Sequence, residues 1–87
     1  MAEELVEKQL AEDEFIFSAR IEIDYLNEKY ELNIPHGDYE TLAGYIVAHH
    51  ENIPEQDEKI NVDNFEIHIL MVSETKIDTV KMKVLPI

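Results

Sequence analysis

Residues 65–72 read Phe-Glu-Ile-His-Ile-Leu-Met-Val, and their alternation organises the second half of the chain. One set of positions is strongly apolar and the other is mixed: Phe65, Ile67, Ile69 and Met71 against Glu66, His68, Leu70 and Val72. A period of two predicts a β-strand with its apolar face towards a core. The preceding pair Asp63-Asn64 tolerates the positive φ of a tight turn, so residues 59–62 are predicted to be the antiparallel partner strand.

Two further segments show the same period. Alternation over residues 15–22 predicts a strand with one buried face. In the last strand Val80 and Met82 alternate, whereas Ile77 lies an odd number of residues from Val80. If both Ile77 and Val80 point inward, a bulge at Asp78-Thr79 must restore the phase.

Between these strands the apolar period lengthens. Ile23, Leu26 and Tyr30 recur at helical spacing, which predicts a short helix over residues 23–30. This helix must end before Ile34-Pro35, because the residue before proline is pushed out of the helical region.

A second helix is predicted over about residues 39–50. The turn His36-Gly37-Asp38 precedes it, with Gly37 free to take positive φ and Asp38 as the candidate helix N-cap. Its predicted inner face consists of Leu42, Tyr45, Ile46 and His49. Gly44 inside the helix costs about 0.5–1 kcal/mol relative to alanine, which indicates close contact with another element. That element is either the sheet of the same domain, which we favour, or a second copy in a dimer.

The N-terminal residues differ from the rest of the chain. Residues 1–12 are mostly polar, with Leu5, Val6 and Leu10 as the large apolar positions, and are predicted to be an acidic linker or frayed helix. Residues 13–87 are predicted to form one domain. The order strand, helix, helix and three strands indicates an α+β fold with two helices packed on one face of a mainly antiparallel sheet.

The charge of the chain excludes two classes of partner. The 87 residues include 20 acidic and 7 basic side chains, a net charge of −13, and residues 1–58 hold 16 of the acids and 3 of the bases. Nucleic acids and anionic lipid surfaces bind through Lys and Arg, so we expect neither as a partner. We expect the acidity to lie on the helical face.

The sequence also bears on compartment. There is no cysteine, which excludes disulfides and thiolate metal sites. No apolar run approaches the ~18 residues of a membrane-spanning helix, and the acidic start is unlike a signal peptide. We therefore expect a cytoplasmic piece that does not insert into a membrane.

The spacing of the histidines and of the hydroxyl residues indicates neither a metal site nor a catalytic site. His49 and His50 are adjacent on a helix, so they diverge by about a hundred degrees and cannot meet one ion. His36 and His68 are expected to be exposed. A hydroxyl nucleophile would need a histidine beside it, and no spacing indicates one for Ser18, Ser73, Thr41, Thr75 or Thr79. We expect no catalytic residue, no metal ligand and no enzymatic activity.

Phosphate-binding loops need glycine runs, and Gly37 and Gly44 form none. P-loop and Rossmann sites are therefore excluded, whereas nucleotide binding without a motif stays open. A pyrophosphate would meet mostly carboxylates, which only the basic residues of the last strand, Lys76, Lys81 and Lys83, could offset locally.

Five pieces of the chain together resemble one family. Tyr39-Glu40-Thr41-Leu42-Ala43-Gly44 followed by Ile53-Pro54 resembles the Y-x-T-L-x-G … I-P signature of the CorC/HlyC transporter-associated domain. Four more pieces resemble its first helix, the segment after that helix and its two closing strands: Ile23-Asp24-Tyr25-Leu26-Asn27, Leu32-Asn33-Ile34-Pro35, Phe65-Glu66-Ile67 and residues 77–81. The likeness runs from about Asp13 to Val84. It departs from the family at Asp57-Glu58, where a glycine usually precedes the acid.

The resemblance implies a fold related to part of FAD-binding domains. It further implies a place at the C-terminus of a bacterial inner-membrane protein, after a membrane region and a pair of CBS domains, linked to magnesium and cobalt efflux or described as hemolysin-related. The expected role is a non-catalytic accessory or regulatory domain on the cytoplasmic face. Its partners would be its own copy in a homodimer and the CBS and membrane parts. The alternative is a module that binds FAD or an adenine nucleotide, for which likeness of fold is the sole argument.

Overall fold

The computed structural model describes residues 5–50, 53–73 and 75–86. Its elements follow in chain order: β1 (Glu7–Ala11), β2 (Glu14–Ser18), α1 (Ile23–Tyr30), α2 (Leu42–His50), β3 (Lys59–Val62), β4 (Phe65–Val72) and β5 (Ile77–Val84). The strands form an antiparallel sheet in the order β1-β2-β5-β4-β3. Buried residues of both helices join those of the strands in one core. The predicted α+β class is confirmed, with one strand more than expected.

The alternation of β4 builds the middle of the core, as predicted. Phe65, Ile67 and Ile69 are fully buried, whereas Glu66 and His68 project from the opposite face of the sheet. The hairpin from β3 to β4 turns at Asp63, whose φ of 54° confirms the positive φ expected there.

The phase break in β5 is also confirmed, and it changes the end of β4. Ile77 and Val80 are both buried, because Asp78 is an extra residue in the pairing with β4. Beyond Ile69 the register shifts on β4 as well, which places Met71 opposite Thr79. Met71 is 57% exposed, so its predicted place on the apolar face is wrong.

Residues 7–11 form strand β1, so the predicted linker or frayed helix is wrong for this segment. The strand pairs with β2, with Glu7 opposite Phe17 and Lys8 opposite Ile16. Nearly all of its side chains are exposed, so backbone pairing holds it and no apolar period marks it. The first four residues of the expected linker lie outside the described residues.

Strand β2 is shorter than predicted, because the chain leaves the sheet after Ser18. The amide of Ile21 returns to the carbonyl of Ser18 at 3.2 Å, which closes a turn. Ala19 and Ile21 are nevertheless buried. Their alternating apolar pattern therefore reflects contact with the core and does not mean that the strand continues.

Helix α1 has the predicted bounds. It ends at Glu31, which takes a left-handed conformation with φ 55° and donates its amide to the carbonyl of Asn27 at 2.9 Å. The Asn27 side chain then bonds both the amide and the carbonyl of Ile34, at 2.7 and 3.0 Å. These hydrogen bonds hold the segment that follows α1 against the last turns of the helix.

Helix α2 begins at Leu42, three residues later than predicted. Thr41 caps it by accepting the amide of Gly44 on Oγ1 at 3.2 Å, so the assignment of Asp38 as N-cap is wrong. Gly37 does not adopt the positive φ that is open to glycine. An added Cβ at Gly37 would lie 2.5 Å from the ring of Tyr39, so a larger residue there would require the end of that side chain to shift.

Candidate functional site

A shallow apolar groove of about 430 Å³ lies beside α2, against the end of β2 and the start of β5. Its apolar lining consists of Ala19, Ala43, Gly44, Val47, Ile53 and Ile77. Arg20, Thr41, Thr75 and Lys76 supply the polar part. Most of the lining is apolar, so the groove suits a hydrophobic group better than a charged one.

The amides at the start of α2 are already used within the domain. Leu42 donates to the carbonyl of Ile21 at 3.0 Å, and Ala43 donates to that of Ala19 at 2.8 Å. With Gly44 bonded to Thr41, a phosphate at this helix end would have to displace internal hydrogen bonds. The helix terminus that borders the groove is therefore not an open anion site.

Gly44 makes its close contact within the domain. A Cβ at this position would lie 2.9 Å from Cβ of Tyr39, in the segment that leads into the helix. Of the two predicted explanations, packing inside the domain is therefore nearer the structure, although the neighbour is this segment and not the sheet. The Tyr39 hydroxyl also donates to the carbonyl of Pro35 at 2.8 Å, which fixes the ring between the two glycines.

Each of the four histidines has a different polar neighbour. The ring of His49 lies 3.0 Å from the carbonyl of Tyr45, and the other three approach carboxylates: His36 with Asp24 at 3.4 Å, His50 with Glu58 at 3.2 Å and His68 with Asp57 at 3.8 Å. Among residues 5–50, 53–73 and 75–86, no three His, Asp or Glu side chains are placed to hold one metal ion.

The candidate hydroxyls serve local structure or line the surface. Ser18 accepts the amide of Arg20 at 3.3 Å, and Ser73 donates to the carbonyl of Lys76 at 3.3 Å. Thr41 is the α2 cap, whereas Thr75 and Thr79 line shallow recesses. None of these contacts pairs a hydroxyl with a histidine.

The predicted basic cluster on the last strand is divided by the fold. Lys76 precedes β5 and lines the groove beside α2. Lys81 and Lys83 line a recess of about 220 Å³ on the other face of the sheet. The three lysines therefore cannot act as one site, so the sequence prediction of a common cluster is wrong.

The face of the sheet that is turned away from the helices, here called the open face, carries a row of positive side chains. Register places five residues of five strands side by side in this row: Lys8, Ile16, Lys81, His68 and Lys59. The next row contains Glu14, Lys83, Glu66 and Asn61. Lys81 is ion-paired with Glu14 at 3.2 Å. Sequence reasoning missed this arrangement, because it requires β1 and the order of the strands.

Glu7 points to the opposite face of the sheet, where it connects β1 to α1. Its carboxylate accepts hydrogen bonds from Lys29 Nζ at 2.6 Å, from the Tyr30 hydroxyl at 2.6 Å and from the Tyr25 hydroxyl at 2.9 Å. The Lys29 ammonium, ahead of the Tyr30 hydroxyl, lowers the pKa of Glu7 below its ordinary 4.5. We name Glu7, Tyr25, Lys29 and Tyr30 the Glu7 cluster.

The antiparallel sheet, the apolar groove and the basic open face define a small α+β domain with surfaces suited to binding. The chain belongs to the transporter associated domain family, CorC_HlyC, whose sequence model matches residues 8–86. In the part of the chain that the structure describes, no helix is both long enough and apolar enough to cross a membrane.

Several solved structures have the same fold. The transporter associated domain from Nitrosomonas europaea is 26% identical, with a TM-score of 0.79 over 94% of this chain and 99% of that one. A hemolysin domain from Enterococcus faecalis is 25% identical, with a TM-score of 0.78 over 93% and 99%. The domain from a Xylella fastidiosa hemolysin, solved in complex with Mg²⁺ and Mn²⁺, is 21% identical, with a TM-score of 0.75 over 93% and 99%. Among curated proteins no significant match was found.

Proposed function

We propose that this chain is a non-catalytic accessory domain of a CorC/HlyC-type membrane transporter linked to divalent-cation efflux. The match of the family over residues 8–86 carries this proposal. The domain lies on the cytoplasmic side of the membrane and acts through protein contacts, with its own copy and with the CBS and membrane parts of the transporter.

The net negative charge of the chain supports a regulatory role for divalent cations. With a net charge of −13, two copies repel each other, and Mg²⁺ reduces this repulsion by screening and by bridging carboxylates. The related domain from the Xylella hemolysin was solved with Mg²⁺ and Mn²⁺, which is consistent with such a response. Cation concentration would thereby alter how the domain associates.

Millimolar MgCl₂ is expected to increase the sedimentation coefficient of the purified chain, whereas NaCl of equal ionic strength is expected to have a smaller effect. Sedimentation velocity measures both. Replacing two exposed acids of α1, Asp24→Asn with Glu28→Gln, should weaken the response to magnesium. An association state that magnesium leaves unchanged would contradict the cation mechanism.

The apolar groove favours a second candidate, a module that binds FAD or an adenine nucleotide. Its 430 Å³ can receive an aromatic ring, and Lys76 at its edge can approach a phosphate. The occupied amides of α2 weigh against this function, because they leave the pyrophosphate without backbone donors.

If the groove binds a nucleotide, titration calorimetry with FAD, ATP and AMP at high micromolar concentration should give heat that Val47→Glu abolishes. Val47 lines the groove, whereas its neighbour Ala48 is exposed on the other side of α2. Ala48→Glu is therefore the control with the same change of charge. Absence of heat for all three nucleotides would remove this candidate.

A further inference from the structure

The open face is the part of this acidic protein where positive charge collects. Four of the seven basic side chains lie in its two rows, Lys8, Lys59, Lys81 and Lys83, against Glu14 and Glu66 of the 20 acids. We infer that the open face is the docking surface for an acidic, partly apolar segment of another polypeptide. This inference rests on the proposed accessory role.

The row of Lys8, Lys81 and Lys59 has the dimensions of a binding surface. Neighbouring strands lie about 4.8 Å apart, so four steps from β1 to β3 separate its ends by about 19 Å. A helix of about 13 residues covers this distance at 1.5 Å per residue. Carboxylates spaced along one face of such a segment can meet successive lysines at contact distance, which fixes the register of the pairing.

Apolar side chains on the same face add a second element of recognition. Ile16 is the second residue of the row, between Lys8 and Lys81. Near the end of β2, Met71 and Val6 are 57% and 39% exposed and line a recess of about 290 Å³, whose charged lining residues are Arg20 and Asp78. A partner with both acidic and apolar side chains fits this face better than a simple polyanion.

Charge also argues against three other occupants of the open face: a second copy, an anionic membrane and a phosphate-rich ligand. Two copies placed open face to open face would bring the lysines of one against those of the other, which is unfavourable. An anionic membrane or a phosphate-rich ligand would place negative charge against Glu14 and Glu66 as well as against the lysines. An acidic segment can place apolar or polar groups opposite the two glutamates.

NMR titration of the ¹⁵N-labelled chain at low salt tests this surface. The probe is a helical peptide of about 15 residues, roughly 22 Å long, with Glu and Leu on one face. Amide shifts are expected on all five strands along the row from Lys8 to Lys59, and added NaCl should reduce the affinity. A peptide with Lys in place of Glu should not bind.

Charge reversal provides the matched control. Lys59→Glu on the open face should weaken binding roughly fivefold, whereas Lys76→Glu beside α2, with the same change in net charge, should leave it nearly unchanged. Both lysines are exposed, so both variants are expected to fold.

Three results would overturn the inference: shifts confined to the α2 groove, equal affinity of the two variants, or tighter binding to phosphatidylglycerol vesicles than to the peptide. This experiment reports on the open face, whereas the magnesium experiment reports on the association state. Failure of the docking surface can therefore be told apart from failure of the proposed cation response.

Discussion

Tyr45→Phe is expected to lower the free energy of unfolding by about 2 kcal/mol, because a hydrogen bond to a charged group typically contributes about 1.5–3 kcal/mol. Tyr45 is fully buried on α2, and its hydroxyl donates to Oδ2 of Asp63 in the hairpin between β3 and β4 at 2.5 Å. Phenylalanine keeps the ring but leaves that carboxylate without this donor. Urea unfolding followed by circular dichroism measures the loss.

Alkaline pH gives the same residue a second test. Burial, followed by the hydrogen bond to Asp63, raises the pKa of Tyr45 above its ordinary 10.0. The stability that this shift contributes is complete below pH 10.0 and is lost as the pH rises towards the pKa in the folded state. The deficit of Tyr45→Phe relative to the unmodified chain should therefore shrink at high pH.

Tyr39→Phe is the matched control for Tyr45→Phe. It also removes one hydroxyl, but that hydroxyl is exposed and bonds a backbone carbonyl, that of Pro35. We expect a loss below about 1 kcal/mol. Equal losses in the two variants would show that the contact between Tyr45 and Asp63 does not stabilise the fold.

Glu7→Gln is expected to destabilise the domain at neutral pH by about 1–2 kcal/mol, because hydrogen bonds to a charged acceptor are roughly twice as strong as neutral ones. Glu7 accepts hydrogen bonds from three side chains of α1 and is 20% exposed. Urea unfolding at a series of pH values measures the difference. We further expect faster hydrogen exchange of the β1 amides in Glu7→Gln, because the Glu7 cluster connects this edge strand to α1.

The pH dependence of this stability loss tests whether the charged carboxylate of Glu7 is its cause. Because the folded protein lowers the pKa of Glu7, its contribution is complete above the ordinary 4.5 and is lost as the pH falls through the lowered pKa. The difference between the unmodified chain and Glu7→Gln should thus disappear in acid. Glu12→Gln removes an equal charge from the exposed turn between β1 and β2 and should cause no such loss. A difference that stays constant with pH would contradict this assignment.

The predictions that were confirmed concern segments in which the spacing of buried residues along the chain is informative. Helix α1 was predicted over residues 23–30 and has those bounds, because its apolar positions recur at helical spacing. The break between Ile77 and Val80 was visible for the same reason, since two inward residues at odd spacing require an extra one. Local periodicity was sufficient in both cases.

The predictions that were wrong concern residues whose conformation depends on distant parts of the chain. Strand β1 has no apolar period, and it forms through backbone pairing with β2 and through the contacts of Glu7 with α1. The start of α2 is set by Thr41, because the residue before it is held outside the helix by a backbone hydrogen bond from Ile23 to Glu40. Neither contact can be derived from spacing.

The residues that carry the family resemblance have structural roles. Tyr39 packs against Gly37 and Gly44, and Thr41 caps α2. This explains why the motif was sufficient to indicate the fold but pointed to no binding site. The groove beside α2 and the open face are formed by residues from several elements.

The sequence by itself determined the α+β class and a net charge of −13, because these depend on composition and local period. Only the tertiary structure decided where the charges lie. Lys8 and Lys59 come from the two edge strands and share one row, whereas Glu7, next to Lys8, points to the helical face. Successive side chains of a strand point to opposite faces, so strand order and register convert one acidic sequence into two faces of different charge.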